Sequence, residues 1–434
     1  MAKRAGLVST VNQGLAPGTI QATPKQVLAF NTSLNASSDV HSQWMLDTDI
    51  FSHTGAGGSD AGSRMASAGY VFSGSWTWGE NIAWSGTTGQ INGDATIAGH
   101  HQSLFLSAGH RTNILGDGYR EIGIGSLTGV FTSKGTNYNA LMTTQNFARS
   151  GSSVFVTGVT YNDTINDDFY SIGEGIGGRT VEMFQNGAVI ASTTSAQAGG
   201  YALASAITGN VEIRFTGAGL SATMGAAVKL EGANIKIDLV DGNTIQSSAS
   251  ATLTQSALHL ALLGIADVSG IGNGLANTIS GNAGDNVLRG FNGNDLLQGG
   301  GGEDTLGGGA NNDVLNGGAA KDRMSGGGGR DIFVFDDLAE ARSGMDIISD
   351  FQQGLDRIDL RGIDAVTGGG DNAFHMLAVN EAFSGSGAAS AGELRHYQLA
   401  ERTIIEGDVN GDGAADFRIQ LNGVFTLSGA DVLL

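Results

Sequence analysis

Hydrophobic spacing changes along the 434-residue chain in a way that divides it into four regions. From about residue 24 to 150, apolar side chains fall largely at helical intervals, as at Val40, Trp44 and Met45 and again at Ile97, Leu104 and Phe105. Spacings of three to four residues place side chains on one face of an α-helix. From about 151 to 250 the pattern alternates instead. The runs starting at Val154, Thr180 and Ala188 read as strands, and Asn186-Gly187 between the last two is a hairpin signal. A small β-sandwich is expected there. After a lead-in at Leu262-Leu263-Gly264-Ile265, residues 272–334 repeat with a period of nine. The last region, 335–434, returns to short apolar runs around Phe335, Phe351, Ile358 and Leu360.

The nine-residue period holds for seven cycles without a gap: GNGLANTIS, GNAGDNVLR, GFNGNDLLQ, GGGGEDTLG, GGANNDVLN, GGAAKDRMS, GGGGRDIFV. Position one is always glycine. Position six is Asn277, Asn286, Asp295, Asp304, Asp313, Asp322 and Asp331, and position eight is Ile279, Leu288, Leu297, Leu306, Leu315, Met324 and Phe333. Glycine permits the positive φ angles of tight turns. Aspartate is a hard oxygen ligand, and turn carbonyls can complete a calcium shell around it. The apolar eighth residue suits a narrow core shared by stacked turns. A flexible linker would explain the 71 glycines but has no reason to keep an acid and an apolar residue in phase. The pattern resembles the calcium-binding repeat of RTX proteins, which implies a parallel β-roll with Ca2+ held between turns. The first two repeats carry asparagine, so the N-terminal end of the roll is expected to bind more weakly or to act as a cap. The region from 335 to 434 resembles the C-terminal roll cap of serralysin-type secreted proteins.

Charge narrows the partners. With 42 acidic against 22 basic residues the net charge is −20, which opposes nucleic acid and anionic membrane surfaces. The acid surplus suits a chain that stays expanded without cations and condenses when calcium neutralises it. Without cysteines there are no disulfides and no thiolate metal sites. No apolar run approaches the roughly 18 residues of a transmembrane segment; the longest, around 257–266, is too short. The start, MAKRAGLVST, is basic but lacks the apolar stretch of a signal peptide. Weak calcium sites of about 10⁻⁴–10⁻³ M fill only outside the cell. The RTX resemblance implies export by a type I secretion apparatus, and the ending Asp431-Val432-Leu433-Leu434 is similar to the C-terminal signals such machines read. A secreted, extracellular protein is therefore expected.

The first region carries ordered blocks: His41-Ser-Gln-Trp-Met45, Phe51-Ser-His-Thr-Gly55, Ala68-Gly-Tyr70, Gly79-Glu-Asn-Ile-Ala83, Ser107-Ala-Gly-His-Arg-Thr-Asn-Ile-Leu115 and Glu121-Ile-Gly-Ile-Gly125. They resemble the bacterial branch of the CAP superfamily (cysteine-rich secretory proteins, antigen 5, pathogenesis-related 1), also called SCP-like extracellular domains. The resemblance implies an α-β-α sandwich with a cleft lined by two histidines and two glutamates. Carried over block by block, these are His53, Glu80 and His110, with Glu121 or His101 as the fourth member. Two imidazoles with carboxylates make a zinc-capable set or a general base and its orienter. His41 and His100 are expected to be structural, and Arg111 and Asn113 to anchor a loop. Tyr70, Phe72, Trp76 and Trp78 read as core rather than as a binding lip.

Two further stretches approximate calcium loops. Asp163, Asp167 and Glu174 stand at positions one, five and twelve of such a loop, with Ile165 in place of the third ligand. Asp408, Asn410, Asp412 and Asp416 stand at one, three, five and nine, with no acid at twelve. The alternative for both is an acidic β-turn.

The expected architecture is thus multidomain: a CAP-like α-β-α sandwich (24–150), a small β-sandwich (151–250), a parallel β-roll (272–334) and a C-terminal cap (335–434). The expected function is that of a secreted calcium-binding protein whose cleft takes a divalent metal and a small or lipid-like ligand. One rival is a metal-dependent hydrolase using His53, Glu80 and His110, although no HExxH occurs in the chain. The other is a lipid- or glycan-binding module or cell-surface adhesin that uses the cleft without chemistry.

Overall fold

The computed structural model describes residues 10–21, 23, 25–338, 344–366, 372–385 and 390–434. The basic start at residues 1–9 lies outside them. The N-terminal domain runs β1 (Ala29–Phe30), α1 (Thr32–Thr48), α2 (Ala61–Ser67), β2 (Trp76–Thr87), α3 (Gly93–Leu106), α4 (Ala108–Ile114), β3 (Glu121–Ser133) and β4 (Thr136–Ser150). Its sheet has the order β1-β3-β4-β2. β1 is parallel to β3, and the long β3-β4 and β4-β2 pairs are antiparallel.

Residues 140–148 of β4 are buried without interruption, because helices cover both faces of this central strand. Alternation along β4 assigns the faces. Thr144 bonds Ser42 of α1, whereas Thr143 bonds His100 of α3. The EIGIG block has its glycines for a steric reason. A Cβ on Gly123 would overlap the backbone of Leu34 and Asn35, and one on Gly125 the backbone of Ser38 and Asp39. α1 therefore lies directly on β3. Its first turn is closed by Asn31, whose side chain accepts the N–H groups of Ser33 and Leu34, satisfying two donors that a helix start leaves unpaired. This is the expected α-β-α sandwich.

The rest of the molecule is built from two long sheets, of 14 and 11 strands among the described residues. Strands between 154 and 255, antiparallel except for the parallel pair of Val154–Tyr161 with Ile235–Val240, form the sandwich, with the Asn186-Gly187 hairpin turning at φ 52° and 79°. The sequence treats sandwich and roll as separate blocks, but the sheets run straight through. Thr244–Ser247 of the sandwich pairs in parallel with His259–Leu262, which pairs with Thr278–Ser280. From there the register advances by 18 residues per turn: Leu288 lies beside Leu306 and then Met324 on one sheet, Ile279 beside Leu297, Leu315 and Phe333 on the other. Two nonapeptides make one full turn of the parallel β-roll. All seven position-eight side chains are buried in one apolar core that extends from Val154 to Val432.

Candidate metal ladder and imidazole cleft

In each turn of the roll the position-six carboxylate looks along the stack. Its Oδ1 accepts the backbone N–H of the residue 18 positions earlier: Asn277 to Asp295 (2.7 Å), Asn286 to Asp304 (2.7 Å), Asp295 to Asp313 (2.8 Å), Asp304 to Asp322 (2.8 Å) and Asp313 to Asp331 (2.9 Å). The Oδ2 atoms of Asp295, Asp304, Asp313 and Asp331 are buried and meet no hydrogen-bond donor. A buried acceptor without a donor is costly, and four of them recur along the roll.

The position-one glycine frames the same spot. A Cβ on Gly308 would overlap Asp313 Oδ2 and crowd the Gly326 carbonyl; on Gly299 it would overlap Asp304 Oδ2 and the Gly317 carbonyl. Carboxylate and carbonyl oxygens thus converge where any side chain would block them. Hard oxygens in this arrangement suit Ca2+. Each nonapeptide from Gly290 to Val334 brings one position-six acid and relies on carbonyls for the rest. Accordingly, no group of three or more His, Cys, Asp or Glu side chains is gathered among the described residues. Burial, ahead of the neighbouring acids, pushes Asp304 and Asp313 up to about 7 and Asp331 to about 6.

The ladder extends past the seven repeats, which the sequence analysis misses. Asp346 Oδ1 accepts the N–H of Asp322 (2.8 Å) and Asp356 Oδ1 that of Asp331 (3.1 Å). The signal was present: Asp346-Ile-Ile348 and Asp356-Arg-Ile358 keep the acid and apolar residue two apart, as positions six and eight do.

The two secondary loops close on themselves. Asp163 accepts the N–H groups of Asp167 (3.2 Å) and Asp168 (2.8 Å), and Glu174 those of Thr164 (2.9 Å) and Ser171 (2.7 Å). Asp408 accepts from Gly411 (2.7 Å) and Gly413 (2.8 Å), Asn410 from Asp412 (2.8 Å), Asp412 from Ala414 (2.8 Å) and Asp416 from Val409 (2.8 Å). Short acidic side chains binding nearby amides are the mark of a turn. Both loops show the geometry of the acidic turn.

At the edge strand β2, Glu80 is the centre of a cluster. Its Oε1 accepts Nδ1–H of His53 at 2.9 Å, and its Oε2 pairs with Arg64 of α2 at 2.5 Å. The carboxylate can only accept, so His53 carries a proton on Nδ1, and Nε2 is the ring nitrogen not engaged by Glu80, on a side chain that is 57% exposed. Arg64 also donates to the carbonyls of His53 (3.1 Å) and Ser59 (2.8 Å), pinning the loop that bears His53. His41 is fully buried; its Nε2–H donates to the Ser52 carbonyl at 2.9 Å and lies 3.9 Å from Glu80. His110 stands on the other side of the β2 edge. Its Nδ1 is 2.8 Å from Ser107 Oγ, its carbonyl accepts Asn81 Nδ2, and burial and then the charge of His53 lower its pKa.

The other two expected members do not join. Glu121 is two strands away on β3, accepting Tyr70 O–H at 2.6 Å and Asn31 Nδ2 at 2.7 Å. His101 faces Gln145 across the opposite face of the sheet, at 3.3 Å. Glu80 already spends both oxygens on His53 and Arg64. The expected zinc set is therefore not assembled. What the cluster can do is hold one imidazole in a fixed orientation through its Nδ1. Arg64 escapes sequence reading because the acid near it in SDAGSRMAS is Asp60, four residues earlier, whereas its partner Glu80 stands 16 residues further on. Arg111 does anchor, as expected: it is fully buried and donates to the carbonyls of Phe105, Leu106, Val11 and Gln13.

The comparisons with known proteins match two stretches of the chain. Residues 9–147 match the cysteine-rich secretory protein (CAP) family and residues 255–434 match the peptidase M10 serralysin C-terminal family. The chain carries a CAP domain followed by a serralysin-type C-terminal domain. No curated protein matches the sequence. Among solved structures, an extracellular SCP-domain protein of Bacillus anthracis str. Ames is 27% identical over 29% of this chain, which spans 35% of that protein, with a TM-score of 0.22. The AlgE6R3 subunit of the Azotobacter vinelandii mannuronan C5-epimerase is 24% identical, covering 39% of this chain and 80% of its own, with a TM-score of 0.24. The AlgE6R2 subunit is also 24% identical, over 40% and 92%, with a TM-score of 0.21. Among the described residues no helix is long and apolar enough to cross a membrane.

Within the CAP domain the Glu80–Arg64 pair is buried, with side chains 3% and 8% exposed. Removing one partner of a buried pair strands the other charge. Arg64→Met is expected to destabilise the domain by about 3–5 kcal/mol, read as a lower thermal midpoint in tryptophan fluorescence. An unchanged midpoint would mean the pair does not hold the cleft together.

Proposed function

We propose that this is a secreted calcium-dependent protein whose serralysin-type half folds when Ca2+ fills the carboxylate ladder of the roll. The observation that carries this is the run of buried Oδ2 atoms on Asp295, Asp304, Asp313 and Asp331 that no donor satisfies. The residues that would hold the ions are these aspartates with Asp322, together with the carbonyls of Gly308, Gly317 and Gly326, which face the Cβ positions of Gly290, Gly299 and Gly308. A chain that is unfolded where calcium is scarce can be exported through a type I secretion apparatus. It then converts ion affinity into folding free energy outside.

In this reading the CAP domain is the ligand-recognition end. Its cleft offers the oriented His53 imidazole to a small polar, lipid-like or glycan ligand, by hydrogen bonding rather than through a metal. What weighs against the metal-dependent hydrolase reading is that Glu80 spends both oxygens on His53 and Arg64, while Glu121 and His101 are bonded elsewhere.

The test is a calcium titration of the full chain, followed by far-UV circular dichroism at several pH values. A gain of β-structure with calcium is expected; a spectrum indifferent to calcium would end the proposal. The pH dependence has a definite sign. Asp304 and Asp313, pushed up to about 7 from an ordinary 3.8, are stabilised by the fold in their neutral form. That contribution to the ion-free roll is complete below the unfolded value and is lost as pH rises through about 7. Calcium takes the charged carboxylate, so the calcium midpoint is expected to fall from about pH 5 to about pH 8. A midpoint that rises over that range would remove these aspartates from the ligand set.

A further inference from the structure

The two repeats with asparagine at position six also carry it at position two, giving Asn273 and Asn277, then Asn282 and Asn286. All four side-chain amides donate to main-chain carbonyls of the preceding turn. Asn273 Nδ2 reaches Ala257 (2.9 Å), Asn277 reaches Leu258 (3.1 Å), Asn282 reaches Ala266 (3.0 Å) and Asn286 reaches Val268 (3.0 Å). Their amide oxygens are used as well. Asn277 Oδ1 accepts the N–H of Asn273 (2.8 Å) and Asn286 Oδ1 that of Asn282 (2.7 Å).

An amide can both donate and accept, whereas an ionised carboxylate only accepts. Where the later turns leave an oxygen that calls for a cation, these turns place an N–H on a carbonyl. Nothing buried in them needs neutralising. They are also joined to structure that contains no aspartate ladder. His259–Leu262 pairs with sandwich strand Thr244–Ser247 on one side and Thr278–Ser280 on the other. Ala251–Gln255 of the sandwich pairs with Ser269–Ile271, which pairs with Val287–Asn292. Leu260, Ile279 and Leu288 lie in the same apolar core as the sandwich side chains.

We propose that the first turns of the roll, through Arg289, fold without calcium as an extension of the sandwich and form the fixed template on which calcium builds the remaining turns. This rests on the calcium reading above and adds a boundary to it, between Asn286 and Asp295. The ion-dependent unit then begins at a preformed edge, so the first ion orders a turn against strands already in place instead of nucleating a roll from a disordered chain. Loop closure for that first turn is correspondingly short.

The experiment is hydrogen–deuterium exchange of the full chain, read peptide by peptide, in chelator and in excess calcium. Peptides within 255–289 are expected to be protected in both conditions, and peptides within 290–334 only with calcium. An Asn277→Asp/Asn286→Asp variant is expected to make protection of 255–289 depend on calcium, while the sandwich strand Gly209–Gly217 stays protected throughout. Loss of protection in 255–289 of the parent in chelator, together with 290–334, would overturn the template and leave the calcium reading standing. Protection of 290–334 in chelator would instead remove the calcium reading, and the boundary with it.

Discussion

Chelating calcium from the full chain is expected to remove the β-structure of the roll and cap while leaving tryptophan emission unchanged. The four tryptophans, Trp44, Trp76, Trp78 and Trp84, all lie in the CAP domain, so their fluorescence reports on that domain alone. The two domains are held by different forces. The CAP domain has helices on both faces of a sheet and carries no ladder of buried acids. The roll stacks Asp295, Asp304, Asp313, Asp322 and Asp331, each no more than 2% exposed. Burying a charge without a counter-charge is among the most expensive acts in folding. An ion present at about 100 times its dissociation constant stabilises a site by about 2.7 kcal/mol. A few such sites match the whole stability of a typical domain, about 5–15 kcal/mol. Far-UV circular dichroism and tryptophan fluorescence in one chelator titration separate the halves. If both signals fall together, the CAP domain depends on the roll; if neither falls, calcium is not what holds the roll.

The second large effect is expected from Asp313→Ala. Asp313 is in the middle of the ladder: its Oδ1 accepts the N–H of Asp295, and its own N–H donates to Asp331 Oδ1. Removing it deletes a charged ligand from one turn and a register bond to the turn before. Ligand charge sets the affinity of calcium sites over orders of magnitude, so the calcium midpoint should rise by at least about tenfold. The transition should also become shallower, because the neighbouring turns lose a partner. Asp163→Ala is the matched control, since that carboxylate is bound to the amides of its own loop, and its titration should overlay the parent. An Asp313→Ala curve with the parent's midpoint and steepness would mean that the turns fill independently of this carboxylate.

Legibility followed how local the cause was. The roll could be read from sequence because its period, its glycines and its position-eight apolar residues repeat the same local geometry, and the structure buries all seven of those side chains. The continuation through Asp346 and Asp356 was less visible, since the spacing there departs from nine while the 18-residue ladder gives way to steps of 24 and 25 residues. In the CAP domain the blocks placed His53 and Glu80 correctly beside each other. The same blocks misplaced Glu121 and His101, because strand order and face decide which side chains meet. Glu121 is on β3 and Glu80 on β2, with β4 between them, and His101 looks onto the opposite face.

The roll, its buried apolar row and its row of position-six side chains were therefore legible in residue type and period, which act over a turn or a strand, and the CAP domain in the blocks that resemble its family. The partners of Glu80, the self-closing of the two acidic loops and the fusion of sandwich to roll were decided by tertiary structure. Arg64 is 16 residues from Glu80 in the chain yet 2.5 Å away in space. Thr244–Ser247 meets His259–Leu262 by parallel pairing across the sheet. Such pairings depend on how whole elements pack, and no local pattern encodes them.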